Sequence, residues 1–232
     1  MTALILLPGM DGTGTLFADL VPVLPPDLRP VVVAYPMDRP LGYAELTQFV
    51  SEQLPSNEPY VLLGESFSGP VAIGLAAKRP AGLAGLVLCA TFAKNPRPAL
   101  APLRLLLGIL PFPLWMLSLV SPLLLSSNRD KRISRALRIA AACVNARVWR
   151  ARLRAVLDVD VSAELKSVEV PILYLQAADD RLIPPSAARF ITEQVSSMEV
   201  LQIDGPHLLL QTRPHASAAA ISAFMRQIPD WQ

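Results

Sequence analysis

The sequence predicts an α/β fold built on a minimal, mostly parallel six-stranded sheet with helices on both faces. Short apolar runs alternate along the chain with stretches of helical periodicity, which is typical of repeated strand–helix–strand units. The runs are solid rather than alternating, as at residues 31–33 and 172–175, and solid runs indicate strands that are buried on both faces. With 232 residues, 52% hydrophobic and 17% charged, the chain can bury a substantial core and is not a disordered protein.

These patterns place six strands and five helices in order along the chain. The strands are predicted at residues 3–7, 30–35, 60–64, 83–89, 171–177 and 198–203. The helices are predicted at residues 14–24, 43–54, 68–78, 185–195 and 216–227. The first apolar run has no positive region before it and stops at Pro8, so we interpret it as a strand rather than a targeting signal and expect a cytoplasmic location.

An insertion interrupts this order between the fourth and fifth strands, where a crossover usually needs far fewer residues. We predict a core domain formed by residues 1–94 and 168–232 and a helical cap formed by residues 95–167. Insertions in such sheets lie over the carboxyl ends of the strands, where ligands bind. Within the cap, residues 105–127 carry no charge and are long enough to cross a bilayer. Three prolines interrupt that stretch, which favours an apolar lid or a peripheral membrane contact over a span.

A Gly-x-Ser-x-small pattern at residues 64–68 is the strongest local indication of chemistry, because a predicted strand precedes it and a predicted helix follows it. In that context the pattern is typical of a nucleophile elbow, a strained turn that projects the serine hydroxyl above the sheet. Gly64 and Ser68 are small enough for strand and helix to pass closely, although Ser68 stands where glycine is usual. Ser66 is therefore the predicted nucleophile, and an ordinary serine at a strand–helix turn is the alternative.

A nucleophilic serine needs a base, and the chain has two histidines. His207 comes just after the sixth predicted strand, whereas His215 lies at the predicted start of the last helix, where a capping or exposed role is expected. His207 is therefore the predicted base. With two histidines and two cysteines, Cys89 and Cys143, the chain has too few of these residues for a disulfide framework or a typical metal centre. We predict neither a metal nor a cofactor.

The serine–histidine pair also needs an acid that orients the imidazole. Asp179 and Asp180 follow the fifth predicted strand, and the carboxyl ends of parallel strands lie at one edge of a sheet. Because adjacent side chains point in different directions, only one of these two can face His207. Asp158 and Asp160 in the cap are weaker candidates, since they do not follow a strand.

An oxyanion hole needs two backbone N–H groups that point at one position. Phe67, the residue after the nucleophile, and Met10, in the glycine-rich loop after the first strand, are the predicted donors. The alternative for that loop, residues 8–14, is a dinucleotide site. Its spacing is Gly-x-x-Gly-x-Gly rather than Gly-x-Gly-x-x-Gly, and no acid ends the next strand, so we discount that alternative.

The chain resembles the α/β-hydrolases over almost its full length. The matching segments are residues 7–14, 64–69, 180–184 and 205–207. The resemblance selects Asp180 as the acid, because the family carries its acid before x-Leu-Val-Pro. Two departures are visible: Pro8-Gly9 replaces the commoner His-Gly, and the chain begins at the third strand of the family. The resemblance thus implies a six-stranded sheet with an exposed edge that dimerisation could cover.

The net charge of the chain is +2, and this balanced total argues against a protein that coats nucleic acid. The charges are nevertheless distributed unevenly along the sequence. Residues 128–154 hold nine basic side chains and one acid, or +8, which leaves −6 for the rest of the chain. A solvated helix face is one interpretation. The other is a docking surface for acyl carrier protein, coenzyme A or an acidic membrane. The residues proposed for docking are Arg132, Arg135, Arg138, Arg147, Arg150 and Arg154.

Two branches of the superfamily share motifs with this chain. One is the carboxylesterase branch that includes pimeloyl-carrier-protein methyl ester esterases, and the other is an esterase, lipase and thioesterase branch that includes plant phytyl ester synthases. The resemblance implies an esterase that acts on an acyl group and forms an acyl-enzyme. Acyl transfer or thioester hydrolysis is the alternative within enzymes, and a non-catalytic binding protein is the alternative outside them. The oligomeric state stays open.

Overall fold

The fold is described here from a computed structural model, which covers residues 2–102, 123–125, 130–195 and 197–228. Its strands are β1 Thr2–Leu7, β2 Leu28–Val32, β3 Tyr60–Glu65, β4 Leu83–Cys89, β5 Ile172–Ala177 and β6 Glu199–Ile203. They form one sheet in the order β2-β1-β3-β4-β5-β6, and every neighbouring pair is parallel. The predicted fold class is confirmed, with a sheet that is parallel throughout.

Eight α-helices with both ends among the described residues accompany the sheet. They are α1 Tyr43–Ser51, α2 Gly69–Ala76, α3 Lys131–Ala142, α4 Ala146–Asp158, α5 Ser162–Leu165, α6 Pro185–Gln194, α7 Leu209–Thr212 and α8 Pro214–Gln227. The four predicted core helices that begin near residues 43, 68, 185 and 216 are confirmed, with ends that differ by a few residues.

The predicted helix at residues 14–24 is wrong as an α-helix. This segment forms two short 3₁₀-helices, Thr15–Asp19 and Val21–Val23. Gly14 enters the first one in the left-handed conformation, with φ of 72°. Pro22 in the second has no N–H with which to continue an α-helical ladder. Apolar spacing alone does not distinguish this arrangement from an α-helix.

Alternate residues of the strands supply the two halves of the core. Ile5 and Leu7 of β1 face a cluster completed by α1, α2 and α6, whereas Leu4 and Leu6 face a cluster completed by α8 and the 3₁₀-helices. All four side chains are fully buried, and each such burial stabilises the fold by roughly 1.5–3 kcal/mol. The central strands are therefore covered on both faces, as their solid apolar runs predict, whereas four of the five residues of the edge strand β6 are exposed.

Helices α3, α4 and α5 lie between β4 and β5, inside the predicted cap, whose boundaries stay a prediction. Val148 and Trp149 of α4 pack with Met10, and Ile133 of α3 packs with Leu208. These contacts place α3 and α4 over the carboxyl ends of the strands, whereas Leu165 of α5 belongs to the core cluster that contains Ile5 and Leu7. The uncharged stretch 105–127 lies outside the described residues except for 123–125. Among the residues that the structure describes, none of the helices combines the length and the hydrophobicity that a membrane span needs.

Candidate active site

Ser66 lies at a sharp turn between β3 and α2. Its φ is 49°, a left-handed backbone conformation that a residue with a side chain rarely adopts. The turn requires close packing: a Cβ on Gly64 would lie 2.7 Å from the Ser68 carbonyl oxygen and 2.9 Å from the Ala72 Cβ. The Thr91 hydroxyl donates to the Ser66 carbonyl oxygen and holds the turn from the end of β4. The strained serine that the sequence pattern predicts is thus present in the structure.

A chain of hydrogen bonds connects Ser66 to His207 and Asp180. Ser66 Oγ lies 2.8 Å from His207 Nε2, and His207 Nδ1 lies 2.8 Å from Asp180 Oδ2. The other oxygen of Asp180 accepts hydrogen bonds of 2.8 Å from the N–H groups of Leu182 and Ile183. With Nδ1–H donated to the carboxylate, the lone pair of Nε2 faces the serine hydroxyl. The geometry therefore suits proton transfer from Ser66 to His207.

The competing candidates lie elsewhere. Asp179 is exposed, and its N–H donates to the carbonyl oxygen of Gly205 at 2.9 Å. Asp158 and Asp160 are exposed at the end of α4 and just beyond it. His215 is exposed in the first turn of α8. The structure brings together one serine, one histidine and one aspartate, and they are the three that the sequence and its resemblance select.

Hydrogen bonds fix the peptide groups of the loop after β1. The Gly12 N–H donates to the Gly9 carbonyl oxygen at 2.9 Å, and the Gly12 carbonyl oxygen accepts from the Tyr35 N–H at 2.8 Å. Because the Gly9 carbonyl is turned towards Gly12, the N–H of the same peptide unit, which belongs to Met10, points the opposite way. That Met10 and Phe67 donate to an oxyanion stays a prediction.

Ser68 connects the elbow to this loop. Its side chain is fully buried, and its hydroxyl donates to the Pro8 carbonyl oxygen. The Tyr35 hydroxyl lies 2.5 Å from Ser68 Oγ and donates to it, because the serine proton is already used. Glycine, the usual residue here, could make neither bond. The departure from the family pattern is thus the feature of the sequence that could have identified this connection.

Arg152 of α4 binds the same loop from the segment between β4 and β5. Its Nη1 donates to the carbonyl oxygens of Met10 and Asp11, both at 2.8 Å, and its Nη2 donates to that of Pro36 at 3.0 Å. The side chain is 1% exposed, and this burial lowers the pKa of its guanidinium. A Cβ on Gly12 would lie 2.6 Å from Nη1, so glycine makes room for it. Sequence reasoning missed this residue, because it lies in a segment rich in surface arginines.

Replacing Arg152 by methionine is expected to destabilise the protein by about 2–4 kcal/mol, since carbonyl groups in the interior lose their donors. The matched control is Arg147→Met, which alters an exposed arginine of the same helix and should change stability by less than about 0.5 kcal/mol. Urea unfolding of the two variants and the wild type measures the difference. Equal midpoints for all three would contradict a structural role of the Arg152 contacts.

The six arginines proposed for docking differ in their surroundings. Arg135, Arg138 and Arg147 are exposed, and Arg150 is half-buried. The other two form ion pairs: Arg132 with Asp19 and, at 3.8 Å, with Asp130, and Arg154 with Asp158 at 3.6 Å. Among the basic residues of this segment that the structure describes, Arg152 is the buried one, and the exposed ones lie on α3 and α4.

Known proteins resemble this chain in sequence and in structure. The profile of a family described as Hydrolase_4, Serine aminopeptidase, S33, matches residues 42–206. A Caulobacter sp. (strain K31) protein named for carbamate hydrolysis, RutD, is 32% identical over 79 residues, which make up 34% of this chain and 30% of that protein. This match therefore spans less than a third of the relative's length.

Two solved structures show how far the fold is shared. A hydrolase from Oleispira antarctica superposes with a TM-score of 0.85 at 14% identity, over 98% of this chain and 92% of that one. The esterase EaEST from Exiguobacterium antarcticum superposes with a TM-score of 0.83 at 13% identity, over the same shares of the two chains. At such identities the likeness establishes the fold. Since the family profile covers well over half of the sequence, the chain belongs to the Hydrolase_4 (serine aminopeptidase S33) family of the α/β-hydrolase superfamily.

Proposed function

We propose that the protein is a serine hydrolase that cleaves carboxylic esters through Ser66, His207 and Asp180 and a covalent acyl-enzyme. The observation that carries the proposal is the chain of two 2.8 Å hydrogen bonds at a serine with positive φ. A base within hydrogen-bond distance and an acid that orients it are what an activated serine nucleophile requires, and the strained backbone is typical of a nucleophile elbow. Membership of a hydrolase family supports the reaction class.

In the first half of the reaction, Ser66 Oγ attacks the ester carbonyl carbon while His207 Nε2 takes the serine proton. The Asp180 carboxylate keeps the imidazole in the required tautomer and stabilises the positive charge that forms on it. The N–H groups of Met10 and Phe67 receive the negative charge that develops on the carbonyl oxygen. When the tetrahedral intermediate collapses, the alcohol leaves with the proton from His207, and the acyl group stays on Ser66.

In the second half, a water molecule replaces the alcohol. His207 removes a proton from the water as its oxygen attacks the acyl carbon, and the second tetrahedral intermediate uses the same two N–H groups. Its collapse breaks the bond to Ser66 Oγ, which recovers the proton from His207. The products are the carboxylic acid and free enzyme, and no cofactor is needed for the proton balance.

A panel of acyl substrates tests this reaction class. Methyl, glyceryl, coenzyme A and carrier-protein derivatives of one acyl chain are compared, with the released acid quantified. We expect hydrolysis of the oxygen esters. Turnover of the thioesters alone would contradict an ester-cleaving enzyme, and transfer of the acyl group to an added alcohol in preference to water would indicate an acyltransferase.

We further propose that the acyl group is carried by an acidic partner of the acyl-carrier-protein kind. Arg135 and Arg138 are exposed on α3, and Arg147 is exposed on α4. Ile139 is 57% exposed beside the two α3 arginines. An apolar side chain within a positive surface fits a partner helix that is acidic and partly apolar. Packing of Ile133 against Leu208 places α3 close to the candidate site.

Reversing the charge of Arg135 and Arg138 together is expected to lower kcat/KM for a carrier-linked ester by about 10- to 100-fold, because the encounter loses its steering. Hydrolysis of a small ester should stay within about twofold. The matched control is Lys166→Glu with Arg189→Glu, which makes the same change in net charge at other exposed positions. Equal losses for both substrates, or equal losses in the control, would contradict docking at α3.

A further inference from the structure

Glu65 is a buried acid for which the proposed reaction has no role. It is the last residue of β3 and directly precedes the nucleophile. Its side chain is 3% exposed, although a carboxylate is costly to bury unless it is paired and hydrogen-bonded. The hydrogen-bond partners of the Glu65 carboxyl therefore indicate its role.

The Glu65 carboxyl contacts two segments that are far apart in the sequence. Oε1 accepts a hydrogen bond of 2.9 Å from Nε2 of Gln211 in α7, the helix that begins two residues after His207. The Gly9 N–H also faces the carboxyl and favours its ionised form. Gly9 directly precedes Met10, so one side chain connects the Met10 loop with the His207 segment at the base of the elbow.

We propose that Glu65 is a positioning residue whose ionised carboxylate holds the Met10 loop and the His207 segment in place around Ser66. The proposal rests on the proposed function, in which the Met10 N–H and His207 both act on the substrate at Ser66. A charged acceptor binds an N–H donor more strongly than a neutral one. The ionised form should therefore align the predicted oxyanion donor and the base better than the protonated form does.

The charge of Glu65 changes near neutral pH. The pKa of its carboxyl is raised from 4.5 to about 7, mainly by burial and to a smaller extent by the nearby Asp11, against the opposing effects of Gln211, His207 and the Gly9 N–H. From β4, the buried Cys89 thiol also faces it, and the pKa of that thiol is raised by burial first and by Glu65 second.

Both charge states of Glu65 have a partner in Gln211. Within the described residues, Gln211 Oε1 is buried without a hydrogen-bond partner. A rotation of the amide would present that oxygen to a protonated Glu65, which could donate to it. The ionised carboxylate instead accepts from Nε2, as in the structure. Titration of Glu65 would thus exchange one hydrogen bond for another without leaving the carboxyl unpaired.

The raised pKa of Glu65 also links its charge to stability. Because the folded protein binds this proton more tightly than the unfolded chain does, the contribution to stability is complete below about pH 4.5 and is lost as the pH rises to about 7. Glutamine in its place is neutral at every pH. Glu65→Gln should therefore gain stability relative to the wild type between about pH 5 and about pH 8, while it loses activity over the same range.

The experiment measures kcat, KM and the urea midpoint for the wild type and Glu65→Gln from about pH 5.5 to about pH 8.5. The ratio of wild-type to variant kcat is expected to rise from within twofold to about 10-fold, with its midpoint near pH 7 and with KM nearly unchanged. The matched control, Glu164→Gln, alters an exposed acid and should give a ratio that does not depend on pH.

Two further variants, Gln211→Met and Ser66→Ala, distinguish a failure of the positioning role from a failure of the proposed function. Gln211→Met leaves Glu65 in place but removes its donor, and it should lower kcat without raising KM. A kcat ratio that does not depend on pH, together with an unfolding difference that does not depend on pH, would overturn the positioning role. Ser66→Ala is assayed in the same series: if it keeps its activity, the proposed function fails instead, and the unfolding data still report whether Glu65 titrates as the proposal requires.

Discussion

Replacing Ser66 by alanine is expected to lower kcat for ester hydrolysis by about 10,000-fold or more, because no acyl-enzyme can form without the hydroxyl. His207 and Asp180 would remain in place, since Asp180 is held by two backbone N–H groups on its other oxygen. The fold should be retained, because the change removes one oxygen atom. The rate of hydrolysis of a short p-nitrophenyl ester, measured at equal concentrations of folded wild type and variant, gives the loss.

The control for this variant is Ser186→Ala, which removes an exposed hydroxyl in α6 and should stay within about twofold of the wild type. Circular dichroism of both variants establishes that each is folded. Turnover by Ser66→Ala near that of the wild type would show that another group performs the reaction.

Asparagine in place of Asp180 is expected to lower kcat by about 10,000-fold, the second largest effect on activity. The amide can present its N–H₂ group to His207, and the imidazole then adopts the tautomer with a proton on Nε2, where it cannot accept the serine proton. The volume of the side chain hardly changes, so packing is preserved. Steady-state kinetics at a pH where wild-type activity is maximal measures the effect.

Asp179→Asn is the matched control, because the two acids are adjacent in sequence. Asp179 is exposed and Asp180 is the one that contacts His207, so the control should keep its activity within a few-fold. A large loss in Asp179→Asn with little change in Asp180→Asn would reverse the assignment of the orienting acid.

The fold was largely predictable because the four central strands, β1, β3, β4 and β5, are buried almost throughout. The apolar runs located all six strands, although β2 is Leu28–Val32 rather than the predicted residues 30–35. The helical patterns between the runs predicted that the strands are parallel. The segment at residues 14–24 was not predictable in detail, since its apolar spacing fits an α-helix while Gly14 and Pro22 impose two 3₁₀-helices. The local apolar pattern was enough to predict the strands, whereas the conformation of this segment depends on the backbone constraints of single residues.

The candidate site was predictable where each residue follows a strand. Ser66, Asp180 and His207 come after β3, β5 and β6, and parallel strands end at one edge of the sheet. The residues that fix the surrounding loops were not predictable in this way. Arg152 contacts Met10 across 142 positions in sequence, and nothing in a run of arginines indicates which one turns inward.

The use of the basic residues could likewise not be predicted from the sequence. The sequence establishes that residues 128–154 carry +8, but not how those charges are used. In the structure Arg152 is buried against backbone carbonyls, and Arg132 forms an ion pair with Asp19 in the 3₁₀-helix Thr15–Asp19. The exposed positive charge is therefore smaller than the segment total suggests, and the proposed docking site uses Arg135 and Arg138, which are exposed on α3.

Covalent labelling with a fluorophosphonate tests most directly the central claim, that Ser66 is an activated nucleophile. Intact-mass spectrometry followed by peptide mapping locates the adduct in the wild type, in Ser66→Ala and in Asp180→Asn. We expect one adduct per wild-type chain on the peptide that contains Ser66, none in Ser66→Ala and much slower labelling of Asp180→Asn. A folded wild-type protein that stays unlabelled, or an adduct on another residue that persists in Ser66→Ala, would contradict the claim.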